Sequence, residues 1–137
     1  MPLLDPTEYD LENAEEPIYL PDGTEAELRI LEVTKGKYEN GGEYLNVTLD
    51  VPKEALAKNF NHFIGLPNRS MDAKSRKAAI WRMKLFYSCF GISLTEPTDP
   101  KDDWPGKHGW AILGVRDGGS NYGMQNTISK FLGIGEQ

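Results

Sequence analysis

From Tyr44 to Val51 the chain alternates without a break. Leu45, Val47, Leu49 and Val51 fall on one side; Tyr44, Asn46, Thr48 and Asp50 fall on the other. A period of two marks a strand with one buried face. A strand is therefore predicted over Tyr44–Val51, stopped by Pro52, which has no N–H to give to a ladder. Upstream, Ala26, Leu28 and Ile30 keep one phase, and Leu31 and Val33 take the other. This predicts a strand over Glu25–Val33 with a bulge that bends it. Glu39-Asn40-Gly41-Gly42 is a strong hairpin signal between the two. A third strand is expected over Lys58–Ile64, with Phe60, His62 and Ile64 on one face and Asn59, Asn61 and Phe63 on the other. Two more are expected at Gly109–Arg116 and Tyr122–Phe131, joined by the glycine-rich loop Asp117–Asn121.

One segment follows a different period. At 100° per residue Ala79, Ile80, Met83, Phe86, Tyr87 and Phe90 share a face, which predicts a helix over Asp72–Phe90 that closes the bottom of the sheet. Asp72 is the expected N-cap and Gly91 the expected stop. Lys74, Lys77, Arg82 and Lys84 fall opposite, together with Trp81 and Leu85 one turn apart. An apolar pair on a basic face needs a cover or a partner, and Ile18-Tyr19-Leu20 of the arm is the segment expected to cover it. Residues 1–20 read as an acidic arm without periodicity, and residues 21–137 as one domain opened by the turn Pro21-Asp22-Gly23. Thr95–Gly106 reads as a polar, proline-rich loop, and Trp104 and Trp110 as core or rim packing.

Three strands, a helix and two strands make an all-β domain with one helix. The order is that of the OB-fold, a five-stranded Greek-key barrel with its helix between strands three and four. Barrels of this kind bind single-stranded nucleic acid or oligosaccharide on one face. The order therefore predicts a binding module rather than an enzyme.

Composition narrows the reading further. At 137 residues, 39% hydrophobic and 26% charged, the chain has enough material for one cored domain. No apolar run approaches the ~20 residues of a membrane span, so no membrane partner is expected. The first residues, Met1-Pro-Leu-Leu-Asp-Pro, have neither a basic nor an apolar signal region. Cys89 is the single cysteine, which suits a reducing cytoplasm. The net charge of −6 runs against the basic balance usual in nucleic-acid binders. The charge is polarised, however. Before Arg29 every charged residue is an acid, whereas Arg69, Lys74, Arg76, Lys77, Arg82 and Lys84 face the single acid Asp72. Local field matters more to a polyanion than net charge. A solvated arm and a solvated helix face account for both runs equally well.

Catalytic chemistry is not foreseen. His62, His108 and Cys89 do not form a zinc-ligand spacing, and there is no phosphate-binding glycine loop. Asp22, Glu32 and Lys35 come near a nuclease pattern, but the Glu–Lys spacing is wrong for one strand face. No enzyme activity, metal or cofactor is expected. A single-strand binder needs aromatic platforms for bases and cations along the phosphates. The candidate platforms are Tyr38, Tyr44, Phe63 and Tyr122; the candidate cations are Arg29, Lys35, Lys37, Arg69, Arg116 and Lys130. Taken singly, each aromatic is more commonly sheet packing and each cation solubility. The interleaving of Lys35-Gly36-Lys37-Tyr38, with Tyr44 across the hairpin, raises the binding reading.

These residues bring a family into view. Asp22–Ile30, Gly41-Gly42-Glu43-Tyr44-Leu45-Asn46-Val47, Cys89-Phe90-Gly91, Trp104-Pro105-Gly106-Lys107, Asn121-Tyr122-Gly123 and Asn126–Leu132 together resemble the small OB-fold single-stranded-DNA-binding proteins encoded by bacteriophages. The resemblance covers about residues 20–133. It implies non-catalytic binding of single-stranded DNA in replication or recombination, in the host bacterial cytoplasm. Many single-strand binders recruit partners through an acidic C-terminal tail; here the acids lie at the N-terminus. Replication or recombination proteins would then be met through the acidic arm or the Trp81/Leu85 face. The alternative is an OB-fold protein-interaction or assembly module that binds no nucleic acid, which the acidic balance favours.

Overall fold

The computed structural model describes residues 3–119 and 123–133. Five strands, β1 (Glu25–Lys37), β2 (Glu43–Asp50), β3 (Phe60–Gly65), β4 (His108–Asp117) and β5 (Met124–Gly133), form one antiparallel sheet in the order β3-β2-β1-β4-β5. The principal helix α1 (Ala73–Phe90) lies between β3 and β4 in the chain, followed by the short α2 (Pro100–Asp103).

β1 is the longest strand and serves both halves of the sheet. Its first part pairs with β4 and its second with β2, and the register slips between Ile30 and Glu32. This is the expected bulge. Ala26, Leu28 and Ile30 are buried before it and Val33 after it, so the phase change bends one strand around the core instead of exposing half of it. Two further register shifts in the β4–β5 ladder, at Trp110/Ala111 and Ile112/Leu113, add curl at the other side. The edge strands β3 and β5 approach each other through side chains: the His62 and Phe131 rings meet edge to face at 5.7 Å.

The core holds the predicted alternating residues of β1 and β2, with Phe60 and Ile64 from β3 and Phe86, Cys89 and Phe90 from α1. Asp72 caps the helix, its carboxylate accepting the Ser75 N–H at 2.7 Å, and Gly91 ends it in the left-handed region at φ 69°. A Cβ on Gly109 would stand 2.6 Å from the Cys89 carbonyl oxygen, so this glycine lets the last turn of α1 sit directly on β4. The Thr95–Gly106 loop is not merely polar. Asp99 caps α2 within it, and Trp104 at its end is wholly buried, 5.4 Å from both Phe86 and Tyr87.

Three expectations are corrected. Ile80, placed on the inward helix face, is 47% exposed. α1 buries only Ala79 in its first three turns and enters the core at Phe86, so the wheel overstates how far toward its N-terminus the helix is packed. Lys58 precedes β3 instead of opening it. Finally, Ile18–Leu20 does not cover Trp81 and Leu85. Ile18 bridges Ala57, its backbone bonded to Leu56 and Lys58. Leu20 is buried and held by Asn126, whose amide accepts the Leu20 N–H at 2.8 Å and donates to the Leu20 and Gly114 carbonyls. Backbone hydrogen-bonding capacity in the β2–β3 loop and one buried amide decide this docking, and hydrophobic periodicity carries no signal for either.

Candidate nucleic-acid interface

The β1–β2 hairpin and β3 build one aromatic row, exposed at Tyr38 and Phe63 and half-buried at Tyr44. Lys37 pairs with Glu43, Gly36 with Tyr44, and Tyr44 in turn with Gly65. Tyr44 is thus flanked by a glycine on each neighbouring strand. Its ring lies over Gly36, where a Cβ would stand 2.5 Å from Cζ. On either side of it stand Tyr38, ring centroid 4.8 Å away and tilted 45°, and Phe63, 5.6 Å away and edge-on. Tyr38 is 48% exposed and Phe63 47%, far more than packing residues of a sheet. Below this row Asn46, cross-strand from Phe63, buries its Oδ1 with no hydrogen-bond partner among the described residues.

The hairpin turn is built for an open groove. Gly41 takes φ +91°, and Asn40 Oδ1 accepts the Gly42 N–H at 2.9 Å. Across from it Asn68 Oδ1 accepts the N–H and hydroxyl of Ser70, each at 2.9 Å. A backbone N–H can only donate, so both asparagine oxygens are committed, and neither amide NH2 has a hydrogen-bond acceptor among the described residues. Between the two turns lies a groove of about 660 Å3, lined by Lys37, Tyr38, Asn40, Asn68, Ser70 and Met71 among others. At the far end of the row a narrower crevice joins Phe63 to His62, Phe131 and Arg82 of α1.

The predicted residues divide into two groups. Tyr38, Tyr44, Phe63 and Lys37 come together. Arg69 is exposed between the groove residues Asn68 and Ser70. Lys35 shares the hairpin but is ion-paired with Glu43 at 3.4 Å. Arg29 is committed elsewhere. Its guanidinium grips both carboxylate oxygens of Asp50 on the paired strand, and that carboxylate holds its protonated form further in place. Arg116 donates to Gln125 at 3.3 Å on the β4–β5 side of the sheet, and Lys130 is exposed on β5. Arg116 on β4 and Lys130 on β5 lie beyond β1 in the sheet order, on the side away from β2 and β3. Tyr122 lies outside the described residues. Sequence reasoning missed Asn40 and Asn68 as groove-lining groups, and Arg82 as a neighbour of Phe63. Asn40 was legible only as a turn residue, and Arg82 only as one of several cations on the helix.

His62 sits behind Phe63 on the inward face, stacked on Phe86 with centroids 5.6 Å apart. Burial holds its imidazole neutral, with the pKa pushed down to about 4. Among the described residues, no helix is long and apolar enough to cross a membrane. No protein-family model matches the chain, and no curated protein matches it.

Proposed function

We propose that this chain is a non-catalytic single-stranded-DNA-binding protein with the OB-fold, of the kind bacteriophages use in replication or recombination. One observation carries the reading: exposed Tyr38 and Phe63 flank a half-buried Tyr44 in one aromatic row, with Lys37 beside Tyr38 and Arg69 exposed in the facing loop. Three rings at this spacing match successive unstacked bases. Stacking is worth about 1–3 kcal/mol per base, so two or three rings suffice for useful affinity without sequence preference. The cations track phosphates, and the free amide donors of Asn40 and Asn68 face the groove beside Tyr38. The open sheet with its curled edges and the helix between β3 and β4 supports the barrel assignment.

The test is titration of a fluorescent oligo(dT) with the full chain at several salt concentrations. Saturable binding that weakens with salt is expected, lost on Tyr38→Ala/Phe63→Ala. Absence of binding to any oligonucleotide at low salt overturns the reading. It would favour a protein-interaction module, for which the bare Ile80, Trp81 and Leu85 on α1 speak.

A further inference from the structure

α1 and the N-terminal arm are each incomplete surfaces, and they are complementary. From Ala73 to Ala78 every helix residue is exposed, and further along Trp81 stands 56% exposed between Ile80 and Leu85. Lys74, Arg76, Lys77, Arg82 and Lys84 share this helix with no acid, and none is ion-paired with a carboxylate among the described residues. Lys84 leans its ammonium over the Trp81 ring at 5.5 Å. In a chain of net charge −6 this is an isolated basic and apolar patch. The arm has the opposite charge and the same apolar character. Asp5, Glu8, Asp10, Glu12, Glu15 and Glu16 are interspersed with Leu3, Leu4, Tyr9 and Leu11, all exposed, and no cation is present. Two 3-10 turns, Pro6–Glu8 and Leu11–Asn13, already shape it. Helix and arm thus each leave apolar side chains bare beside charges of opposite sign.

We propose that the arm of one copy docks on the α1 face of a second copy, and the second arm on the first helix, in a reciprocal dimer. Within one chain the arm stays off α1, its root fixed at Ile18 by Leu56, Ala57 and Lys58 and at Leu20 by Asn126. Residues 3–16 are free to cross, with a reach of about 46–50 Å when extended. Leu4 and Leu11 meet Trp81 and Leu85, and the carboxylates meet the helix cations. Exchange about a two-fold axis closes the assembly, because each copy then uses its arm and its helix once. This dimer is independent of whether the protein binds DNA.

Sedimentation of the full chain without DNA tests it. A dimer is expected at low salt, dissociating near 1 M salt, where screening shortens to about 3 Å. Leu4→Ser/Leu11→Ser and Trp81→Ser should each be monomeric. An equimolar mixture of the two should regain association, because one intact arm then meets one intact helix. Should Trp81→Ser fail to fold, Lys77→Glu/Lys84→Glu replaces it, with rescue by Glu8→Lys/Glu12→Lys in the partner. A monomer at low salt, a dimer indifferent to these substitutions, or a mixture that stays monomeric overturns the proposal.

Discussion

The ring of Tyr44 occupies the space that a side chain at Gly36 would need: a Cβ there would stand 2.5 Å from Cζ and 2.6 Å from the hydroxyl. The two residues are cross-strand partners, so the glycine is what lets the tyrosine lie flat along the sheet between Tyr38 and Phe63. Gly36→Ala should push the Tyr44 ring out of the row. Tyr44 is partly exposed and can swing outward, so the fold should lose about 1 kcal/mol, the low end of the cost of added bulk. Oligonucleotide affinity should fall several-fold. Urea denaturation beside fluorescence anisotropy separates the two effects; unchanged affinity would show that the orientation of Tyr44 is irrelevant to binding.

Removing the ring itself is the sharper measurement. Tyr44→Ala should weaken single-strand binding by about 1–3 kcal/mol, the worth of one stacked base, with little change in its salt dependence. Tyr44 is on the face opposite the buried Leu45, Val47 and Leu49, so the variant should remain folded by circular dichroism.

The cations should not behave alike. Lys37 has no carboxylate partner among the described residues, whereas Lys35 is paired with Glu43 and Arg29 with Asp50. On a single strand each neutralised phosphate contributes about 0.7 to the slope of log K against log salt. Lys37→Ala should remove about that much. Arg29→Ala should leave the slope intact and lower stability instead, because it strips Asp50 of its partner. An equal slope change from both variants would contradict this division.

His62 should make the fold acid-sensitive. Its pKa is pushed down to about 4 in the folded chain by burial, against about 6.5 when unfolded. Above pH 6.5 both states are neutral and the group contributes nothing to pH dependence. Below it the unfolded chain takes up a proton that the folded chain refuses, so stability declines as pH falls from about 6.5 to about 4, by on the order of 3 kcal/mol. His62→Phe should flatten this part of the profile in denaturation series at stepped pH. An identical profile in the variant would assign the acid sensitivity to other groups.

Asn126 should control the root of the arm. It is buried and satisfies both backbone groups of Leu20 and the Gly114 carbonyl. Asn126→Leu leaves these groups without partners, at about 1–3 kcal/mol for a buried orphan. Global stability should fall by that order, and limited proteolysis between residues 17 and 24 should accelerate. Unchanged cleavage there would mean that the Ile18–Ala57 bridge alone holds the segment.

Local chemistry was enough to read most of the frame from the sequence. Unbroken alternation set the phase of β2 and β3, and the shift at Leu31 announced the bulge in β1, because side-chain period and burial are coupled within one strand. Asp72 and Gly91 marked the helix ends for equally local reasons. The hairpin signal at Asn40–Gly42 also placed Tyr38 and Tyr44 on one surface, which is why these members of the aromatic row could be named in advance.

What remained depended on contacts between distant segments. Phe63 joins Tyr44 only because β3 pairs with β2 in one register, and Asn68 faces Asn40 only because the following loop returns over the hairpin. Arg29 lies on the predicted strand, but the Asp50 that engages it is 21 residues away. The helix wheel placed Ile80 inward because it assumes packing along the whole length, whereas before Met83 the helix buries only Ala79. Leu20 was drawn to Asn126, 106 residues away, by hydrogen-bond satisfaction, leaving Trp81 bare. Periodicity and turn chemistry act over a few residues and are written in the sequence. Which polar group a given arginine, asparagine or arm segment satisfies is decided only when the sheet curls and brings its partners within reach.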